Sequence, residues 1–180
     1  FDIIGQALGG IMSKTGNEGD PRRSDAIVRL CSRATEIDPE YAAAWALMAV
    51  SQAALRFHFS EPGDGGLAAA ERALSIDANL PEAHASLGRI LSVDDYDFVG
   101  AERELRRAVE LNPNYGIGHH FLGDLLSVTG RYDEAFTENR RAIELEPFSA
   151  VFNAGYGGAL LRARRYDEAV TQFNKALELD

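Results

Sequence analysis

Four stretches of the chain repeat one arrangement of anchor positions, spaced three, one and three residues apart. It occurs as Trp45, Met48, Ala49 and Gln52; as His84, Leu87, Gly88 and Leu91; as His119, Leu122, Gly123 and Leu126; and as Asn153, Tyr156, Gly157 and Leu160. On an α-helix these spacings place all four residues on one face. Second segments follow in which alanines recur seven residues apart around a larger residue. Ala135, Asn139 and Ala142 are one such set, and Ala169, Phe173 and Ala176 another. Small residues let two helices approach closely while the large ones fill the gaps between them. The pattern predicts helical hairpins.

The hairpins recur with a fixed period. Ala101, Ala135 and Ala169 stand 34 residues apart, as do Ala108, Ala142 and Ala176. Leu105, Asn139 and Phe173 keep the same step, and so do Phe98, Tyr132 and Tyr166. Gly130 marks the turn inside one hairpin. Pro113 and Pro147 lie just beyond second helices, where proline cannot continue a helix. Asp133-Glu134 and Asp167-Glu168 open second helices, whereas Arg140-Arg141 and Lys175 lie toward their ends, in accord with the helix dipole.

This period and its consensus resemble the tetratricopeptide repeat, a helix–turn–helix unit that stacks into a solenoid. The best matches are units 116–147 and 150–180. Unit 81–113 carries one inserted residue, and unit 42–78 about five, in Arg56–Gly66. Unit 1–39 is divergent, with Leu8-Gly9, Ala34 and Pro39 in place and a Gly-rich joint at Thr15–Pro21. The resemblance implies an all-α, right-handed α-α superhelix of about five such hairpins, forming a single array over residues 1–180.

Composition narrows the function classes. The 180 residues are 46% hydrophobic and 26% charged, a globular balance rather than a disordered one. A formal net charge of −10 disfavours nucleic-acid and anionic-membrane partners, which require a basic face. The mostly apolar stretch Tyr41–Phe57 is too short and too interrupted to span a bilayer. The single cysteine, Cys31, excludes an internal disulfide and fits a reducing, cytoplasmic setting. Phe1 is no initiator methionine, and no basic segment precedes an apolar leader; the chain reads as a soluble part of something longer.

Because the anchors of each first helix point into the stack, the opposite face must point elsewhere. By spacing it carries Ala46, Val50 and Ala53; Glu82, Ala85, Arg89 and Ser92; Ile117, His120, Asp124 and Ser127; and Val151, Ala154, Gly158 and Leu161, with Arg162 at the edge. In tetratricopeptide proteins this face lines a concave groove that holds an extended or helical peptide. Two alternatives stand beside that role. The alanine strip could serve only to pack neighbouring first helices, and Arg89 could pair with Asp124 across adjacent units. Repeat domains that grip acidic chaperone C-termini use Lys, Asn and Arg on first helices. Ala46, Val50, Ser86, Ile117 and Phe121 stand there and supply no donor for a carboxylate.

Catalytic and metal chemistry finds little support. His84 and His119 occupy one repeat position, the slot of Trp45, and read as structural; His58 has no companion. The acids Asp94, Asp95, Asp97 and Glu102 resemble half a calcium loop, but Arg106 stands where its bidentate Glu belongs. Asp97 reads instead as an N-cap. Gly63-Asp64-Gly65-Gly66 lacks the lysine of a phosphate loop and reads as a joint before a helix at Leu67–Leu74. Cys31 falls at a buried large-residue position. No cofactor, metal or enzymatic activity is expected.

The leading reading is a non-catalytic scaffold that presents a groove to a partner protein or peptide. The alternative is a regulatory or oligomerisation segment of a larger bacterial signalling protein. It rests on a resemblance to repeat regions of such proteins in Asp94–Glu102, Leu111–Tyr115 and His119-His120. Val170, Phe173 and Leu177 leave apolar surface at the C-terminal end, which predicts either weak self-association or a longer parent that continues with more helix.

Overall fold

The computed structural model describes residues 21–59, 64–93 and 96–179. Among them nine α-helices follow one another: α1 (Pro21–Ile37), α2 (Ala42–Phe59), α3 (Leu67–Ile76), α4 (Pro81–Val93), α5 (Phe98–Leu111), α6 (Gly116–Val128), α7 (Tyr132–Leu145), α8 (Ala150–Arg162) and α9 (Tyr166–Leu179). The expected first helix of unit 1–39, with Leu8-Gly9 and the joint before Pro21, lies outside the described residues. So do Gly63, Asp94, Asp95 and the side chain of His58.

Helix starts follow from short polar side chains. Asp64 opens α3, its two carboxylate oxygens accepting from the Gly66 and Ala68 N–H groups at 2.9 and 3.0 Å. Asp97 caps α5 as expected, its Oδ1 accepting from Gly100 N–H at 2.9 Å. Ser149 caps α8 through Phe152 N–H at 3.2 Å. Between units the chain turns on Asp38, Asp77 and Asn112. The Oδ1 of each accepts from the N–H two residues on, at 3.1, 2.9 and 3.0 Å.

Within a unit the two helices interlock glycine against bulk. A Cβ added to Gly88, Gly123 or Gly157 would lie 2.6–2.8 Å from Leu105, Asn139 or Phe173, the large residue of the following second helix. The gap that glycine leaves is therefore filled by a side chain one helix later, at each repeat. Ala101, Leu105, Ala108 and Ala135 are fully buried, as is Leu122 on the facing helix. Cys31 is fully buried too, and burial pushes its thiol up to about 11, which keeps it protonated and unreactive.

Contacts between units run from each second helix to the next first helix, and from first helix to first helix. Phe136 on α7 meets Tyr156 on α8 edge-on, ring centroids 5.9 Å apart, under the Arg165 guanidinium at 4.9 Å. This is the nearest-neighbour architecture of a solenoid. Its second-helix side carries an ionic lattice: Arg131 bonds Glu102 and Glu134 at 2.6 Å each, and Arg106 reaches the same two acids at 2.8 and 3.1 Å.

Candidate binding surface

The first helices α2, α4, α6 and α8 lie side by side in contact, so their non-anchor faces adjoin. Packing divides the predicted surface residues into two groups. Ala46, Ala85, His120 and Ser127 are buried between neighbouring first helices and present almost no surface. Val50, Ala53, Glu82, Arg89, Ser92, Ile117, Asp124, Val151, Ala154 and Gly158 are half-buried, whereas Leu161 and Arg162 are exposed. The alanines thus act as spacers, which allow Ser86 Oγ to reach the Ala46 carbonyl at 3.4 Å from the adjacent helix.

Arg89 and Asp124 on this surface are used internally. Arg89 Nη1 lies 3.6 Å from Asp124 Oδ2, with the two side chains only 20% and 22% exposed, and its guanidinium sits 5.1 Å over the Phe121 ring. Arg162 Nη1 donates to Ser127 Oγ at 3.1 Å. Each pair joins one first helix to the next. His120 is sandwiched beside Phe121 and Phe152, centroids at 5.6 and 5.1 Å, over the bare backbone of Gly155. What remains accessible includes the aliphatic Val50, Ile117, Val151, Ala154 and Leu161 beside the exposed Arg162.

The histidines of the Trp45 slot are structural. His84 Nε2 bonds the Ala78 carbonyl at 3.0 Å and its Nδ1 bonds Glu104 at 2.7 Å. One unit later His119 repeats both contacts, with the Pro113 carbonyl at 3.1 Å and Glu138 at 2.6 Å. Trp45 makes the corresponding bond alone, its Nε1–H donating to the Pro39 carbonyl at 3.0 Å. The acidic partners escape a reading of the sequence by anchors alone, although a signal is present: Glu104, Glu138 and Gln172 stand 34 residues apart, in step with the anchors. A second series, with steps of 35 and 34 residues, is Arg72, Arg107 and Arg141. Arg72 reaches Glu40 at 2.5 Å, Arg107 reaches Asn79 at 3.0 Å and Arg141 reaches Asn114 at 2.8 Å, each at a turn before a first helix.

Among the described residues, no group of three or more His, Cys, Asp or Glu side chains could hold a metal ion. None of their helices is long and apolar enough to cross a membrane.

Residues 153–180 match the tetratricopeptide repeat family model. The described helices take the fold of tetratricopeptide-repeat solenoids. TTC0263, a thermophilic tetratricopeptide protein of Thermus thermophilus, superposes with a TM-score of 0.70 at 23% identity, over 87% of this chain and 83% of its own. YrrB, described as a tetratricopeptide protein with an unusual peptide-binding site, gives 0.57 at 21% identity, over 88% of this chain and 79% of its own. MamA gives 0.57 at 23% identity, over 99% and 93%. No curated protein matches in sequence.

Proposed function

We propose that this chain is a protein-interaction scaffold whose first-helix surface takes an uncharged, aliphatic-rich segment of a partner protein. The observation that carries the reading is the internal pairing of Arg89 with Asp124 beside the accessible Val50, Ile117, Val151, Ala154 and Leu161. Pairing Arg89 with Asp124 leaves Arg162 as the exposed cation of this surface, a poor match for a carboxylate-rich ligand, whereas buried apolar area still contributes to affinity. Acidic chaperone tails are therefore poor ligands. The peptide-binding site ascribed to YrrB supports the idea that a protein of this fold can take a peptide. The scaffold is non-catalytic and cytoplasmic in this reading.

Selection of random displayed peptides on the protein tests it. Enrichment of aliphatic sequences that lose binding to Val151→Asp and Ala154→Arg supports the assignment. An acidic C-terminal consensus, or peptides indifferent to both substitutions, overturns it.

A further inference from the structure

Two first-helix histidines have both ring nitrogens aimed at oxygen. His84 Nε2 lies 3.0 Å from the Ala78 carbonyl, and its Nδ1 lies 2.7 Å from Glu104 Oε2. His119 repeats the arrangement, at 3.1 Å from the Pro113 carbonyl and 2.6 Å from Glu138 Oε2. A carbonyl accepts only, as does an ionised carboxylate, whereas a neutral imidazole has a single N–H to give. Each ring therefore needs a second proton to make both bonds. The slot itself shows which nitrogen serves the turn. Trp45 occupies it in an earlier unit, and its indole nitrogen, a donor only, gives its N–H to the Pro39 carbonyl at 3.0 Å. By the same geometry the histidines donate from Nε2, which leaves Nδ1 and the carboxylate to hold a proton between them. The acid also accompanies the histidine along the array. Ala69 stands in the Glu104 position of the Trp45 unit, and the uncharged Gln172 stands there in the Asn153 unit.

We propose that each pair is a proton-operated latch, an imidazolium bonded to a carboxylate, which ties α4 to α5 and α6 to α7 and opens when its proton leaves. The proton sits on nitrogen rather than oxygen, because an ordinary imidazole keeps one about two pH units above an ordinary carboxylate. Arg103, whose Nε donates to Glu104 Oε1 at 2.9 Å, favours the ionised acid further. Little water is at hand to replace the bond. The His84 and Glu104 side chains are 12% and 11% exposed, and those of His119 and Glu138 10% and 22%. Without the proton, two lone pairs face each other across each latch and the helices lose a charge-assisted bond. The unfolded chain holds no such proton above about pH 6.5, the ordinary imidazole value. The latches therefore contribute fully below that value, and their contribution declines as the pH rises beyond it.

Nitrogen NMR of the histidine-labelled chain at about pH 7.5 provides the test. Both ring nitrogens of His84 and of His119 are expected to carry hydrogen. In the double variant Glu104→Gln, Glu138→Gln the glutamine amides can donate to Nδ1, so both rings become neutral, with hydrogen on Nε2 alone. Refolding from urea in dilute buffer at that pH should take up about two more protons per wild-type chain than per variant chain. The wild-type urea midpoint, level between about pH 5 and 6, should then fall toward about pH 9 more steeply than that of the variant. A single N–H on each wild-type ring, or equal proton uptake by the two proteins, overturns the proposal. The wild-type spectrum decides by itself if the variant does not fold.

Discussion

Arg164 stands in the turn position that Gly130 holds one unit earlier, and both have left-handed backbone, with φ of 61° and 80°. Tyr96 takes the same place before α5 with φ 54°. The turn between first and second helices therefore requires a positive φ in three successive units, and only one supplies the residue that adopts it without strain. Replacing Arg164 by Gly should stabilise the protein by about 1 kcal/mol, a rise in Tm of roughly 2–4 °C by calorimetry. Gly130→Ala should lower it by a similar amount, although a Cβ there meets nothing within 4 Å. A fall in Tm for Arg164→Gly would refute the strain argument.

The bonded pair of His119 and Glu138 carries a second prediction. Removing either partner leaves the other largely buried with an unmet bond, which costs about 1–3 kcal/mol. The last unit replaces the pair with Asn153 and Gln172 at corresponding positions. The double substitution His119→Asn, Glu138→Gln should therefore cost less than the sum of the singles in urea titration. Strict additivity would show that the two side chains do not act together.

The arginine series breaks at its fourth member. Lys175 stands where Arg72, Arg107 and Arg141 stand before it, and its turn residue is Phe148, 81% exposed, instead of Glu40, Asn79 or Asn114. Phe148→Asn with Lys175→Arg should install the missing clamp. A gain of no more than about 1 kcal/mol is expected for an exposed pair. Either substitution alone should change Tm little.

Acid should weaken the fold through a few identifiable carboxylates. Asp64 is held below the ordinary range by the Ala68 and Gly66 N–H groups. Glu102 is raised by partial burial, but this is outweighed by the Arg131 and Arg106 guanidiniums, and its net shift is also downward. A carboxylate with a depressed folded pKa contributes stability that is complete above its unfolded value, about 4, and is lost as pH falls through the folded one. Urea midpoints should be flat down to about pH 5 and decline below about pH 4. Glu102→Gln should flatten part of that decline; an identical slope would remove Glu102 from the account.

The fold is legible in the chain because packing between stacked units repeats, so Ala101, Ala135 and Ala169 each answer the same steric demand. The N-cap Asp97 and the buried Cys31 are legible because each depends on local register, and the Arg89–Asp124 pair is legible as one alternative because the repeat sets the two residues on adjacent first helices. Burial of Ala46 and Ala85 is legible only as one of two open readings of the alanine strip, and burial of His120 and Ser127 is not legible. It depends on how far each first helix is rotated against the next, which no single helical face encodes. The left-handed turn is masked as well, since glycine appears at one of its three positions and Tyr96 and Arg164 conceal the other two.

Burial is unevenly shared along the array. Ten residues of α6 are buried, whereas α9 buries only Ala169 and Ala176. In a chain whose units lean only on their neighbours, the amide protons of α9 should exchange with solvent by local fraying, well before those of α6, which await near-global opening. The middle of the array is thereby its keystone: a lesion in α6 dissolves both flanks at once, while one in α9 shortens the structure by a single hairpin.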